Sequence, residues 1–390
     1  MVKKTFFLFV ILFSTKSFAQ EQYKFSNDIE NDIQNDKNGD DFRYQVGAMK
    51  YSVSNYYIKG LQTWDKLGRK RKKISKDDSL KLVKLKVENA KNYILDQTKK
   101  EQIVILNEAH HYASHRTFAT SLLKGLYENG YRYLGLEAIG DDSINVRKFP
   151  TTKSGFYTSE PQFGSFIKTA LDLGFTLFKY EAVQGENGKD REIKQADNIY
   201  KFMQENKNGK YIIYCGYGHA YEGKDPYWEK TMAGRLSDLT KINPFTIDQT
   251  EFSEKSVTER NSPLLKIIKG KDPVVLLDEN NKAFKGSQIE PFTDIKVVHP
   301  VTTYIKDRPC WMLNENRKLY EVPKSKIKSY PSLIFAYRKG EFDNNGVPAD
   351  MIELQSDKDS GYLILDKGGY DIIVKDKTYN VTNRFDSSIE

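Results

Sequence analysis

Strand-like and helix-like segments alternate through the middle of the chain, and this alternation limits the possible folds more than any other feature. The strand-like segments are residues 102–106, 131–138, 175–182, 210–220 and 244–250. Glycines follow two of the helix-like segments between them, at Gly130 and Gly174, as is usual where a helix ends in a left-handed turn. The alternation predicts βαβ units, and therefore an α/β fold with a mostly parallel sheet flanked by helices.

The region before this core has a different pattern. Residues 21–41 are polar and predict a loose arm. Apolar residues at helical spacing over 42–66 and again over 80–94 predict an N-terminal helical hairpin. The basic run Gly68–Lys76 would connect the two helices, and we interpret it as a solvated linker.

After residue 260 the alternation is lost and β-like segments dominate. One of them, 361–376, predicts a hairpin with its turn at residues 367–369. This β-rich C-terminal region either continues the core sheet or forms a small appendage, and the sequence leaves both open. The predicted organisation is a signal peptide at 1–19, a polar arm and helical hairpin at 20–99, an α/β core at 100–260 and the β-rich region at 261–390.

The first nineteen residues have the pattern of a secretory signal peptide. Lys3 and Lys4 precede an apolar run at Phe6–Phe13, and small residues lead up to a cleavage site after Ala19. No later segment is long and apolar enough to span a bilayer. We therefore expect an exported protein, periplasmic or extracellular, without a membrane span.

Net charge and cysteine content exclude some classes of partner and fold. The formal net charge of +8 over 390 residues is mild, and we predict no nucleic-acid partner. Two cysteines do not make a disulfide framework. The expected partner is a small-molecule or peptide substrate, and the sequence does not determine the oligomeric state.

Ionisable side chains cluster at the carboxyl ends of the predicted strands. The chain has five histidines, and three of them fall between residues 110 and 115, just after the first core strand. Ligands of open parallel sheets bind beyond the carboxyl ends of the strands, so we predict a functional site at this edge. The residues there are Asn107, Glu108, His110 and His111 after the first strand, Glu137 after the second, Tyr180 and Glu181 after the third, and His219 after the fourth.

Two kinds of chemistry suit this set of residues. A histidine can act as a general base that activates water, with a carboxylate to orient its ring. Alternatively, histidines and a glutamate can hold a divalent metal that activates water, and the ligands would then be His110, Glu137 and His219. The cofactor is accordingly none or a divalent metal. The absence of a G-x-S-x-G elbow, a Gly-rich phosphate loop and a CxxC pair argues against serine hydrolases, nucleotide binding and thioredoxin-like redox chemistry.

Several motifs in the core, spread over roughly residues 100–250, resemble one known family. The segments are "ILNEAHH", "GYRYLGLEAI", "GFYTSEPQFGSFIKTALDLGFTLFKYEA", "DREIKQADNIYKFM" and "YCGYGHAYE". Their order and spacing resemble the erythromycin esterase-like family, which belongs to a superfamily with the ChaN-type haem-binding proteins and the Tiki-type metalloproteases. The resemblance implies the superfamily but not a substrate.

Matched position by position, the resemblance assigns roles to individual residues. The acidic-histidine motif falls on Glu108 with His110 or His111, the second-strand glutamate on Glu137 and the last histidine on His219. The Arg-Asp-type helix start resembles Asp190-Arg191, with the acid before the arginine. The esterase branch has its histidine three residues after its glutamate, which implies that His111 is the base and that His110 contacts the ligand or supports the base.

Two departures from the family pattern affect the predicted activity. Asn107 stands where the family has glycine, and asparagine tolerates the left-handed turn that glycine would make. The "GYGH" motif is closer to the Gly-x-x-His of the Tiki branch than to the His-Asn motif of macrolide esterases. Hydrolysis of macrolides themselves is therefore not implied.

The leading prediction is an exported hydrolase that cleaves an ester or related acyl bond with water activated by histidine and glutamate. Arg191 would hold a substrate anion beside Tyr180 and Glu181, or else form a salt bridge to Glu137 or Glu181. The alternatives are a metal-dependent peptidase of the Tiki type and a haem- or ligand-binding protein of the ChaN type that is not an enzyme.

Three further expectations concern single side chains. His115 is predicted to be a surface or helix-cap residue, and His299 to be structural. Close carboxylates repel each other, so Glu137→Gln is expected to leave the melting temperature unchanged or to raise it.

Overall fold

The computed structural model describes residues 22–68, 84–182, 188–266, 268–285 and 292–390. The predicted signal peptide and most of the basic run at 68–76 lie outside the described residues. The described helices are α1 (Ser26–Asn35), α2 (Asp40–Val53), α3 (Tyr57–Asp65), α4 (Ala90–Gln97), α5 (Ala113–Glu128), α6 (Ile144–Arg147), α7 (Pro161–Leu173), α8 (Gly188–Glu205) and α9 (Met232–Thr240).

The strands divide between the core and the C-terminal region. Those up to the end of the core are β1 (Lys86–Asn89), β2 (Ile103–Glu108), β3 (Tyr133–Leu136), β4 (Thr176–Lys179), β5 (Tyr211–Gly216) and β6 (Phe245–Asp248). The later ones are β7 (Val274–Leu277), β8 (Ile295–Lys296), β9 (Tyr304–Ile305), β10 (Arg308–Pro309), β11 (Arg317–Glu321), β12 (Ser332–Arg338), β13 (Asp350–Leu354), β14 (Tyr362–Asp366), β15 (Gly368–Lys375) and β16 (Val381–Ile389).

A six-stranded parallel sheet in the order β4-β3-β5-β2-β6-β8 forms the centre of the molecule. Its two faces are built by the alternation of side chains along each strand. Val104 and Leu106 of β2 pack on the side of α4, α5 and α7. Ile103 and Ile105 pack on the opposite side, against α8 and α9. The predicted α/β class, with a mostly parallel sheet between helices, is confirmed.

Local sequence explains where the core helices begin and end. The Glu160 side chain accepts the backbone N–H of Phe163 and Pro161 occupies the first position of α7, both of which favour a helix start. Gly174 ends α7 with a left-handed φ of 98°. Gly130, with φ 94°, follows α5 in the same way.

The N-terminal region is more ordered than predicted. The predicted loose arm at 21–41 is wrong, because α1 lies within it and buries Ile29 and Ile33. A helical hairpin is present, but its two helices are α2 and α3, which divide the segment 42–66. Gly60 of α3 permits their close approach, since a Cβ there would lie 3.1 Å from the backbone oxygen of Ala48.

The second predicted N-terminal helix, at 80–94, is also corrected. Residues 69–83 lie outside the described part of the chain, and β1 occupies Lys86–Asn89 before α4 begins. β1 pairs antiparallel with β7, far along the sequence. Helical spacing of apolar residues did not reveal this long-range pairing, which decides the conformation of residues 86–89.

The C-terminal region is both a continuation of the sheet and an addition to it. β8 joins the parallel sheet beside β6. β12, β13, β15 and β16 form a separate antiparallel sheet in the order β13-β12-β15-β16. The predicted hairpin over 361–376 is wrong, because β14 pairs with β11 whereas β15 pairs with β12 and β16. The turn at residue 367 carries the chain from one sheet to another.

A buried aspartate joins the N-terminal helices to this C-terminal region. Oδ1 of Asp350 accepts hydrogen bonds from Asn55 between α2 and α3 and from Arg308 of β10, both at 2.6 Å. Oδ2 accepts the backbone N–H of Ile364 in β14, also at 2.6 Å. None of the described helices combines the length and apolar character that a membrane span needs.

Candidate active site

Three neighbouring strands of the sheet bring two glutamates to one edge. Glu108 at the end of β2 lies in register with Gly216 at the end of β5, and Glu137 follows β3 on the other side of β5. Glu108 lies on the same face of β2 as Leu106, which packs towards α5. Glu137 lies just beyond β3, and its carboxylate binds Arg191 of α8 on the other face. The two carboxylates therefore bind arginines on opposite faces of the sheet, on either side of β5.

The carboxylate of Glu108 is buried and fully engaged. Arg116 of α5 binds it in two places, with Nε 2.7 Å from Oε2 and Nη2 2.6 Å from Oε1. The hydroxyl of Tyr214 donates to Oε2 at 2.8 Å. Burial would raise the pKa of Glu108, but Arg116, with a contribution from His110, holds it well below its usual range. Glu108 is therefore ionised at neutral pH.

His110 lies against this ionised carboxylate. Its Nδ1 is 2.9 Å from Oε1 of Glu108. Because Glu108 can only accept, Nδ1 carries the proton and Nε2 has the lone pair in the neutral ring. A Cβ at Gly216 would lie 2.5 Å from this Nε2 and 3.4 Å from Oε2 of Glu137. The imidazole of His110 thus occupies the space that a side chain at position 216 would fill. The carboxylate of Glu137 borders the same space.

The turn that presents His110 is held by another histidine, His115. The backbone N–H of Ala109 donates to its Nδ1 at 3.1 Å, and its Nε2 is 3.3 Å from Oγ of Ser253. The predicted surface or cap position of His115 is wrong, because the ring is fully buried. Burial, with the neighbouring His299, lowers the pKa of His115 well below its usual value, which keeps Nδ1 free to accept.

His299 is buried as well. Its Nε2 lies 3.0 Å from Oε1 of Gln249, and its ring centroid is 4.9 Å from that of His115. Burial lowers the pKa of His299 to about 3. It packs against His115 and Phe118 around the turn, in agreement with its predicted structural character.

His111 leaves the turn in a different direction from His110. Its ring stacks on Trp64 of α3 at a centroid distance of 3.9 Å, and its Nδ1 is 3.3 Å from the hydroxyl of Tyr217. β2 ends at Glu108, so the alternation of the strand does not extend to either histidine. The structure places His110 beside Glu108, and this geometry does not favour the predicted choice of His111 as the base.

Arg191 binds two glutamates on the other side of Gly216. Its Nη2 donates to Oε1 of Glu137 at 2.6 Å, and its Nε donates to Oε1 of Glu181 at 2.9 Å. Oε2 of Glu137 accepts the backbone N–H of Gly216 at 2.5 Å. Burial would raise the pKa of Glu137, but the charges of His219 and Arg191 lower it to about 2.

These contacts favour one of the two predicted roles of Arg191. The alternative reading, a salt bridge to Glu137 or Glu181, describes the structure, in which Arg191 binds both. Its Nη1 is also engaged, 2.9 Å from Nε2 of His219. Little of the guanidinium is left for a ligand, so the geometry does not support a substrate anion at Arg191.

His219 forms a second histidine–carboxylate pair. Its Nδ1 is 2.6 Å from Oε1 of Glu192, and its Nε2 is 3.7 Å from Oε1 of Glu137. Burial would lower the pKa of His219, but the carboxylates of Glu192 and Glu137 outweigh burial and raise it. Sequence reasoning missed Glu192, although it directly follows Arg191 at the start of the helix.

Two residues from the predicted set have other positions than expected. Tyr180 is buried on the α8 face of the sheet, where its hydroxyl donates to the backbone oxygen of Tyr214 at 2.8 Å. This places Tyr180 in the core and not in the cleft. Asn107 has no left-handed backbone; it belongs to β2, and its Nδ2 donates to the backbone oxygen of Tyr217 at 2.7 Å and to Asp248 at 2.8 Å.

Aromatic rings that sequence reasoning missed surround His110. Tyr157 stacks on its ring at 4.0 Å, and Tyr217 meets it edge-on at 5.0 Å. Tyr217 has φ 43°, a left-handed conformation that is costly for a large side chain and typical of functional sites. The available signals were their places in quoted motifs: Tyr217 lies within "GYGH" and Tyr157 within "GFYTSEP", although Tyr157 follows no predicted strand.

The residues around Glu137 do not fit a metal ion. The guanidinium of Arg191 lies between two of the three predicted ligands, 2.6 Å from Glu137 and 2.9 Å from His219. The third, His110, directs Nδ1 to Glu108. Within the described ranges, no three His, Cys, Asp or Glu side chains are arranged as metal ligands. The cation that these carboxylates hold is the arginine.

Comparisons with known proteins add little to this picture. No family model and no curated protein matches the chain. The type III effector HopBA1 is 10% identical over 36% of this chain and 79% of its own, with a TM-score of 0.29. RRSP, a MARTX toxin effector domain from Vibrio vulnificus, is 15% identical over 54% of this chain and 44% of its own, with a TM-score of 0.29.

A third similar structure is the C-terminal region of Pasteurella multocida toxin, described as having a thiol-protease like catalytic triad. It is 11% identical over 83% of this chain and 54% of its own, with a TM-score of 0.29. Such low TM-scores assign neither a fold nor a function. The fold class therefore rests on the strands and helices of this chain alone.

Proposed function

We propose that the protein is a hydrolase of the erythromycin esterase-like type, which cleaves an ester or related acyl bond with water activated by His110. The observation that carries the proposal is the contact between Nδ1 of His110 and the buried, ionised carboxylate of Glu108. A carboxylate in this position fixes the tautomer that leaves Nε2 basic, and it stabilises the imidazolium formed when Nε2 takes a proton.

A single histidine, His110, both accepts and returns the proton in the proposed reaction. Nε2 of His110 removes a proton from water as the water oxygen attacks the acyl carbon. Glu137, which faces the same space beside Gly216, accepts the second hydrogen of the water and so orients it. The imidazolium then returns its proton to the leaving oxygen. Arg191 and the backbone N–H of Gly216 hold Glu137 as a carboxylate for this task.

Single alanine variants of the paired histidines test the proposal. We expect His110→Ala to lower kcat/KM on a panel of p-nitrophenyl esters by about 10²–10⁴-fold, the usual contribution of a general base. His111→Ala is the matched control, because it removes the adjacent imidazole outside the carboxylate pair. It should stay within about tenfold of wild type, since its ring packs on Trp64.

Two results would contradict the assignment. An inactive His111→Ala beside an active His110→Ala would return the role of base to His111. Failure of the folded wild-type protein to cleave any ester in a broad acyl panel would reject esterase chemistry. Circular dichroism of each variant separates loss of activity from loss of fold.

We also propose that the chain is exported, with cleavage after Ala19. The basic, apolar and small-residue segments of the first nineteen residues support this. Expression of the full chain should give a product that begins near Gln20 in the periplasm or the medium. N-terminal sequencing of the recovered protein measures this directly, and a membrane-bound product that still carries Met1 would contradict it.

A further inference from the structure

A row of charged side chains in contact with one another extends from His110 through Glu108 into the interior of the molecule. Arg116, which binds Glu108 through Nε and Nη2, donates from Nη1 to Oε2 of Glu160 at 3.0 Å. From Nη2 it also donates to the backbone oxygen of His110 at 2.9 Å. Glu108, Arg116 and Glu160 thus form a row of contacts that leads away from His110. The side chains of all three have almost no exposure to solvent.

Glu160 is held in turn by two other elements. Its Oε2 also accepts the backbone N–H of Phe163 at 2.8 Å, at the start of α7. Its Oε1 accepts the hydroxyl of Tyr57, on α3, at 2.9 Å. The guanidinium of Arg116 lies over the ring of Phe163, 4.8 Å from its centroid. The position of Arg116 is therefore fixed from the N-terminal helices and from α7 together.

We infer that Glu160 is a positioning residue for the active site: it binds one side of Arg116 so that the other side grips Glu108, and thereby sets the direction of His110. The inference rests on the proposed function for its catalytic consequence. A planar guanidinium offers its donors in a fixed fork, so an anchor on Nη1 determines where Nε and Nη2 point. The orientation of Arg116 then sets the position of the Glu108 carboxylate. That carboxylate in turn sets the direction of the Nδ1–H of His110.

The charge of Glu160 matters as well as its shape. In the buried cluster, the negative charge of Glu160 offsets the positive charge of Arg116, which otherwise acts on Glu108 alone. Removal of that charge strengthens the hold of Arg116 on Glu108 and weakens the carboxylate as an acceptor for His110. A simple helix-capping role for Glu160 predicts no such effect.

Glu160→Gln separates these roles, because its amide oxygen can still accept from Phe163. The readout is the imidazole N–H signal of His110 in a ¹⁵N-histidine-labelled protein, assigned by its absence in His110→Ala. A carboxylate-bound N–H gives a downfield, slowly exchanging signal. We expect Glu160→Gln to move it upfield and to speed its exchange by about tenfold or more. We expect kcat to fall by about 100-fold while KM stays within about twofold.

Asn89→Ala is the matched control. Asn89 caps α4, a different helix from α5 and α7, by accepting the backbone N–H of Asn92 at 3.0 Å. Its loss removes a helix cap and leaves the His110 signal where it is in wild type. If Glu160→Gln does not fold, Tyr57→Phe takes its place, since it removes one donor from Glu160 without changing charge. Faster exchange of the His110 signal in Tyr57→Phe supports the inference, and unchanged exchange overturns it.

The outcomes distinguish this inference from the proposed function. An unchanged signal and unchanged kcat in folded Glu160→Gln overturn the positioning role and leave the ester hydrolysis standing. A signal that responds as expected in a protein that cleaves no ester rejects the proposed reaction and retains the positioning role. Absence of a slowly exchanging signal in wild type overturns the hydrogen bond on which both depend.

Discussion

The two carboxylate clusters of the site differ in their access to solvent. Around Glu108, the side chains of Arg116 and Glu160 are 1% and 0% exposed. Around Glu137, the side chains of Arg191 and Glu181 are 21% and 31% exposed. Both clusters consist of an arginine between two glutamates, next to a histidine.

The difference in exposure indicates that the ion pairs of the two clusters differ in how easily they can rearrange. A buried ion pair loses hydration and cannot rearrange cheaply, so the Glu108 cluster is a permanent support for His110. In the Glu137 cluster, Arg191 and Glu181 are partly exposed, so solvent screens their ion pair more strongly. The two clusters thus use the same residue types and differ in burial.

Removal of the arginines should give the largest difference between the clusters. Arg116→Met leaves two buried carboxylates without a partner, and we expect it to lower the free energy of unfolding by about 3–5 kcal/mol. Arg191→Met leaves Glu181, which is 31% exposed, and Glu137, which still accepts the backbone N–H of Gly216, so we expect a smaller loss of about 1–3 kcal/mol. Urea denaturation of both variants measures the contrast, and equal losses would remove the distinction between the clusters.

Glu137→Gln comes next in expected size. The contacts of Glu137 argue against an unchanged or raised melting temperature, because Arg191 and the backbone N–H of Gly216 bind this carboxylate and its pKa is lowered to about 2. We expect a loss of about 1–3 kcal/mol of stability and of about 10²–10³-fold in kcat, measured by urea denaturation and ester hydrolysis.

The acid stability of Glu137→Gln provides its control. A carboxylate with a lowered pKa stabilises the fold above its unfolded pKa, and this contribution is lost as the pH falls from about 4.5 to about 2. Glu137→Gln should lack that part of the acid unfolding. An identical decline in wild type and variant would show that Glu137 is not held as an ion.

Two buried histidines, His219 and His299, should make stability depend on pH in opposite directions. The pKa of His219 is raised, so its contribution to stability is present below pH 6.5 and lost as the pH rises through the folded value. The pKa of His299 is lowered to about 3, so stability is lost as the pH falls from 6.5 to about 3. Each slope is at most about 1.4 kcal/mol per pH unit.

Glutamine variants should remove these slopes separately. In unfolding experiments from pH 4.5 to 8.5, His219→Gln should lose stability less steeply at alkaline pH than wild type. His299→Gln should lose it less steeply at acidic pH. If both variants change stability on the same side of neutral pH, the assignment of a raised pKa to His219 and a lowered pKa to His299 is wrong.

Much of the fold and the edge of the site could be predicted because they depend on local patterns. Alternating segments fix βαβ units, and parallel strands bring their carboxyl ends together, so Glu108, Glu137 and His219 were placed correctly at one edge. The hairpin at 361–376 failed because pairing between strands depends on partners distant in sequence. The same is true of β1, which pairs with β7.

The remaining errors concern side chains whose surroundings a single sequence does not contain. Arg116 was overlooked because a cation in the first turn of a helix is locally unfavourable, and only two buried glutamates from other elements make it favourable. His115 was expected at the surface, although its ring accepts a backbone N–H inside the fold. The choice between His110 and His111 depended on where the chain turns, at Ala109, which no pattern marks.

The missing side chain at Gly216 has a consequence for how this sequence can vary. Even a methyl group there would meet the imidazole of His110, which is already stacked on Tyr157. Most core positions accept several apolar residues of similar size, but this one has a single compatible residue as long as His110 keeps its place. A random mutational library selected for folding would admit alanine or serine at 216 after the ring has moved. The same library selected for turnover should return glycine alone.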